Sequence, residues 1–157
     1  MQCGRRRPRT DEIPVAQQSV SGSCLCGEVQ LRVRMPTLAC VHCHCTMCQR
    51  NHGAAYVTWV AVARESVEVS AGAERLVTYQ SSEHGTRSFC GRCGSSLLCD
   101  IALHPQQIDV ALACLHGPID RAPQLHIYFD DRADWVALGD DLPRLGGKTG
   151  LELIESK

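Results

Sequence analysis

Seven of the eleven cysteines fall into three tight groups: Cys24-Leu25-Cys26-Gly27, then Cys43-His44-Cys45-Thr46-Met47-Cys48, then Cys90-Gly91-Arg92-Cys93-Gly94. Thiolates spaced this closely can reach one ion from a tight turn, and tetrahedral zinc takes four sulfur or nitrogen ligands at about 2.0–2.3 Å. Glycine at 27, 91 and 94 suits such turns, because backbone beside the sulfurs must adopt conformations a side chain resists. The outer pairs, Cys24 with Cys26 and Cys90 with Cys93, together fill one zinc. That site is closed, hence structural, and it ties the first strand to a distant segment whose loop entropy a small core does not easily offset alone.

The middle group, Cys43, Cys45 and Cys48, offers three thiolates and no obvious fourth partner. Three protein ligands and an open position mark a reactive metal. Three thiolates leave zinc with a net charge of −1 and make it a poor Lewis acid. Such an ion holds an incoming thiol as a thiolate more readily than it makes hydroxide from water. Cys40, three positions before Cys43, is an open alternative as a fourth ligand that would close the site. Disulfides are a poor reading, since Cys-x-Cys neighbours make strained bridges. A redox use of Cys90-Gly-Arg-Cys93 needs a βαβ context that the pattern lacks.

Around the open site, Arg50 and Arg87 are candidate partners for substrate carboxylates. Only Lys148 and Lys157 among the 16 basic residues are lysine, so the domain's cationic chemistry is that of the guanidinium fork. His42 and His52 are candidate proton carriers. His44, flanked by two ligands, is expected to point away from the metal toward a supporting or solvent contact. Cys99 and Cys114 lie in apolar runs and read as core, Cys3 as a free thiol. His84, His104 and His116 read as surface residues.

The elements that must position these groups are short strands. In Glu28–Met35 polar and apolar residues alternate, so Val29, Leu31, Val33 and Met35 share a face until Pro36 ends the run. Further strands are expected at Ala55–Val62, Ser66–Ser70, Leu76–Tyr79, Thr86–Phe89, Ser96–Ile101, Ile108–Leu112 and Leu125–Phe129, divided by Gly, Pro, Ser and Asp. The one helical turn expected covers Thr46 to His52. Residues 1–20, with Arg5, Arg6, Arg7 and Arg9, read as a disordered leader, 21–143 as the folded domain and 144–157 as a tail.

At 157 residues the chain suits one domain, and 16 basic against 17 acidic residues leave a net charge of −1. A protein that neutralises phosphates needs far more positive charge, so nucleic acid is not an expected partner. The longest apolar run falls well short of a membrane span, and the Arg-rich start has no apolar stretch behind it to form a secretory signal. With an odd cysteine count, the expected compartment is reducing and cytoplasmic.

Three ordered segments carry a resemblance. Ser21-Gly-Ser-Cys24-Leu-Cys26-Gly27-Glu-Val29, His42-Cys43-His44-Cys45-Thr-Met-Cys48-Gln-Arg50 and Arg87-Ser-Phe89-Cys90-Gly-Arg-Cys93-Gly94-Ser95 resemble the glutathione-dependent formaldehyde-activating enzyme family, also called the centromere protein V/GFA domain family. Tyr79-Gln-Ser-Ser82, His126-Ile-Tyr128, Trp135 and Asp141-Leu-Pro143 fit the same pattern in order. The resemblance implies a mainly β, Mss4-like (β-tent) fold of small antiparallel sheets stapled by two zinc ions per chain. Its structural zinc ligands fall on Cys24, Cys26, Cys90 and Cys93, and its catalytic zinc ligands on Cys43, Cys45 and Cys48. The implied activity is that of a carbon–sulfur lyase, in which the thiol of glutathione adds to formaldehyde. The rival readings are a non-catalytic zinc-stabilised module for protein partners and a zinc-buffering or redox-sensing protein.

Overall fold

Residues 19–154 are described in the computed structural model. The alternating run becomes β2 (Gln30–Arg34), with Leu31 and Val33 buried and Gln30, Arg32 and Arg34 in solvent. It lies between β1 (Ser19–Ser23) and, once β3 (Ala39–Cys43), α1 (Thr46–His52) and β4 (Val57–Ala63) have passed, β5 (Val67–Ala71). Both pairings in this three-stranded sheet are antiparallel.

The chain continues through β6 (Leu76–Gln80), β7 (Gly85–Cys90), β8 (Ser96–Ile101), β9 (Gln107–Ala111) and β10 (Leu125–Ile127). These join β3 and β4 in a seven-stranded sheet of order β10-β3-β4-β9-β8-β7-β6. The protein is mainly β, as the alternation and the resemblance lead one to expect. The large sheet is nevertheless mixed, because β10 runs parallel to β3, with His126 opposite His42 and Ile127 opposite Cys43. A parallel neighbour needs a long crossover, and the segment 112–124 supplies it.

Two further differences from the sequence reading concern the ends. β1 begins at Ser19, two residues inside the expected leader, whose residues 1–18, Cys3 among them, lie outside the described part. Within the expected tail, β11 (Leu145–Gly146) pairs antiparallel with β12 (Glu152–Leu153).

Side chains alternate across a strand, and the large sheet uses both faces. Val60, Val62, Leu97 and Val110 bury into one apolar cluster with Leu31 and Val33 from the smaller sheet. Val57, Trp59, Cys99 and Ala111 bury into a second cluster. Cys24 and Cys90 belong to the first cluster, whereas Cys43, Cys45 and Cys48 belong to the second. The strands therefore keep two cysteine centres apart.

Candidate metal centres

The first centre is made by two turns at strand ends. After β1, the Gly27 N–H donates to the Cys24 carbonyl at 3.0 Å; after β7, the Gly94 N–H donates to the Cys90 carbonyl at 2.8 Å. Both glycines take positive φ, 78° and 76°, which lets the chain turn under the sulfurs. The turns are bound to each other: the Leu25 N–H donates to Ser95 Oγ at 2.9 Å, and Arg92 and Arg75 both pair with Glu28. The four sulfurs of Cys24, Cys26, Cys90 and Cys93 consequently lie within 4.8 Å of one another. A backbone N–H, that of Val29, already points at Cys24 Sγ from 3.3 Å.

The second centre forms where β3 ends and α1 begins. Cys43 is the last residue of β3, Cys45 caps the helix, and Cys48 sits in its first turn. The cap is chemical as well as positional, since Cys45 Sγ accepts the Cys48 N–H at 3.3 Å. Gly53 ends the helix in the left-handed conformation. The three sulfurs are buried and lie within 4.8 Å of one another.

Cys48 receives two further donors, Trp59 Nε1 at 3.4 Å and Arg87 Nη2 at 3.5 Å. Hydrogen bonds from the other two cysteines and the charge of Arg87 hold the Cys48 thiol far below its ordinary range, whereas hydrogen bonds to Cys45 and Cys48 push Cys43 up. Three such thiols cannot all ionise side by side without a cation between them. A soft donor set of this kind fits zinc. Both clusters could thus hold a metal ion, one through four sulfurs and one through three.

Cys40 does not join them. Three positions along a strand reverse the facing of a side chain, so Cys40 points into the first core cluster while Cys43 points into the second. Burial pushes the Cys40 thiol up to about 11.

The candidate side chains separate in space. Arg87 is 4% exposed and lies against Cys48. Burial works to lower its pKa, but the charges of Cys48 and Cys99 and the hydrogen bond to Cys48 override it, and the net direction is upward. Arg50 is exposed on α1; two residues past Cys48, it is turned about 200° round the helix axis. His52 is half-buried, edge-on to Trp59 at 5.1 Å, with Nε2 buried and unpartnered. It lines a cavity of about 440 Å³ together with Tyr56, Val57, Thr58 and Ala111. Val57 and Ala111 also pack with the three sulfurs, so cavity and centre share a wall. His42 Nδ1 is engaged with Thr58 Oγ1 at 2.9 Å. Burial lowers the pKa of both histidines. Cys99 is buried beside the second centre, Cys114 is half-buried, and His84, His104 and His116 are exposed.

One arrangement was not legible in the sequence. His44 does turn away from the sulfurs, and what it meets is His126: Nε2 and Nδ1 are 2.8 Å apart. His126 Nε2 in turn lies 3.0 Å from Asp140 Oδ1. The His126 hydrogen bond holds the Asp140 carboxyl below its usual range. An ionised carboxylate only accepts, so His126 Nε2 carries a proton.

A four-sulfur cluster and a separate three-sulfur cluster on a mainly β scaffold define a class of small β domain that could hold a metal ion at two places. The family model for the glutathione-dependent formaldehyde-activating enzyme matches residues 19–131, and the chain belongs to that family. A Halomonas elongata protein provisionally named a glutathione-dependent formaldehyde-activating enzyme is 27% identical over 126 residues, covering 76% of this chain and 80% of its own. An uncharacterized lyase of Schizosaccharomyces pombe is 31% identical over 78 residues, 48% of this chain and 53% of that one. The crystal structure of a Rhodobacter sphaeroides protein superposes with a TM-score of 0.55 at 27% identity, covering 62% of this chain and 89% of the other. No helix among the described residues is long and apolar enough to cross a membrane.

Proposed function

We propose that the protein is a zinc-dependent carbon–sulfur lyase that adds a glutathione-like thiol to a small aldehyde such as formaldehyde, or reverses that addition. The observation that carries this reading is a set of three buried sulfurs, rather than four, against a cavity of about 440 Å³. Cys43, Cys45 and Cys48 would hold the catalytic zinc, which when bound supplies a fourth position that keeps a substrate sulfur as thiolate. Cys24, Cys26, Cys90 and Cys93 would hold a structural one. Family membership and the names of the two relatives support the same chemistry.

In the addition, a sulfur–carbon bond forms as the carbonyl π bond opens, and the thiol proton ends on the oxygen. Nothing is oxidised or reduced. Val57 and Ala111 line the cavity and also pack in the cluster that holds the sulfurs, so the cavity would place the aldehyde next to the centre. His52 is the better placed proton carrier, because the residue lines that cavity and its buried Nε2 has no hydrogen-bond partner, whereas His42 is tied to Thr58. Arg50, exposed on the side of α1 turned away from Cys48, would meet a carboxylate of a glutathione-like substrate only where that substrate extends past the helix. Cytoplasm is the compartment we assign, since unpaired thiolates persist in reducing surroundings.

Exchange between formaldehyde, glutathione and their adduct, followed by NMR, tests the proposal. The wild-type protein should accelerate exchange well above the spontaneous rate, and Cys45→Ala should return it to background. Exchange at the spontaneous rate with a fully metal-loaded protein would defeat the reading.

A further inference from the structure

Arg87 is a buried cation without a carboxylate. It is 4% exposed, takes part in none of the ion pairs among the described residues, and leaves Nε and Nη1 buried and unpartnered. Its Nη2 donates to Cys48 Sγ at 3.5 Å. A guanidinium keeps its charge in proteins, and a buried charge with nothing opposite is too costly to persist. The group placed to supply the compensating negative charge is the three-sulfur cluster of Cys43, Cys45 and Cys48, which would carry it when a metal ion is bound.

Resting on the open-centre reading above, we propose that Arg87 sets the charge preference of that centre, favouring an anionic sulfur donor over a neutral one in the fourth position. The argument is a count of charges. A dication with three thiolates carries −1, and Arg87 brings the buried assembly to zero. Entry of a thiolate then takes it to −1, rather than to the −2 it would reach without Arg87. Entry of a neutral donor changes nothing in either case. Two unit charges about 7 Å apart at an effective dielectric constant of about 20 interact strongly enough to change a binding constant by about 30- to 100-fold. The Trp59 N–H, which also points at Cys48 Sγ, carries no net charge and has no such selectivity. Arg87 acts through the sulfurs and so is a charge-balancing residue.

The test uses the cobalt-substituted full chain, titrated with 2-mercaptoethanol and, separately, with imidazole, and read from the cobalt absorption bands. R87M should keep its metal content, lose about 30- to 100-fold in affinity for the thiol and stay within about twofold for imidazole. R87K, which keeps the charge, should recover most of the thiol affinity. If R87M does not fold, R87Q carries the same comparison. A neutral variant that binds the thiol as tightly as wild type overturns the inference while leaving the open-centre reading intact. A parallel loss of both ligands also overturns it, since Arg87 would then only hold the centre in shape. If the wild-type cobalt bands respond to neither ligand, the open-centre reading itself fails and this inference falls with it.

Discussion

The imidazoles of His44 and His126 meet at 2.8 Å although 82 positions separate them in the chain. Both rings are buried, at 1% and 0% exposure, and Asp140 closes the far end. The contact joins the turn between two candidate metal ligands to the parallel edge strand β10. His126→Ala removes a buried ring and strands His44 Nε2, so it should cost about 2–4 kcal/mol of stability. Urea unfolding measures this. A loss below about 0.5 kcal/mol would mean that the contact does not support the turn.

The two centres should separate under substitution. Cys48→Ser should lower the bound metal from about two equivalents per chain to about one and lower the melting temperature only moderately, because the second centre joins no distant segments although Arg87 loses its compensating charge. Cys90→Ser should lower the melting temperature sharply, since a metal that joins distant segments contributes directly to folding. Elemental analysis paired with thermal unfolding checks both. Equal destabilisation by the two variants would refute the division of labour.

Cys40→Ala provides the control. The side chain is fully buried on the opposite face from Cys43, so its loss should cost about 1 kcal/mol through a small cavity. Metal content and aldehyde–thiol exchange should be those of the wild type. A drop in metal content would identify Cys40 as a ligand after all.

Asp109 gives the stability a pH dependence. Burial raises its carboxyl to about 6, and the hydrogen bond from Gln107 only partly opposes this. Between roughly pH 4 and 6 the folded chain holds a proton that the unfolded chain has released, so this group's contribution is complete at low pH and is lost as pH rises through about 6. Asp109→Asn should therefore gain about 2–3 kcal/mol at pH 7.5 and only about 0.5 kcal/mol at pH 4. Chemical denaturation at the two pH values reads the difference. Equal effects at both would remove Asp109 as the cause.

The strand pattern was legible wherever burial is one-sided or continuous. Leu31 and Val33 alternate with Arg32 and Arg34, and Val57–Ala63 is apolar almost throughout, so β2 and β4 follow from the hydrophobic period. β1 and β3 were not legible. Ser-Val-Ser-Gly-Ser offers one apolar residue, and the cysteines of Ala39–Cys43 look like ligands rather than strand. Missing β3 is what kept Cys40 open as a partner for Cys43, because only strand parity turns the two apart.

The amino-acid order settled what neighbours in the chain can settle: the turns that present sulfurs at Cys24–Gly27 and Cys90–Gly94, and the cap that places Cys45 beside Cys48. Such geometry depends on a few backbone angles and on glycine where φ is positive. Which sulfurs share a centre with which other groups was decided by packing. His126 reaches His44 from β10, which the seven-stranded sheet pairs with β3, and Arg87 reaches Cys48 from β7, four places from β3 in the same sheet, only because packing buries those side chains together. No local pattern encodes that, since burial is a property of the whole fold and the long-range partners are chosen by it.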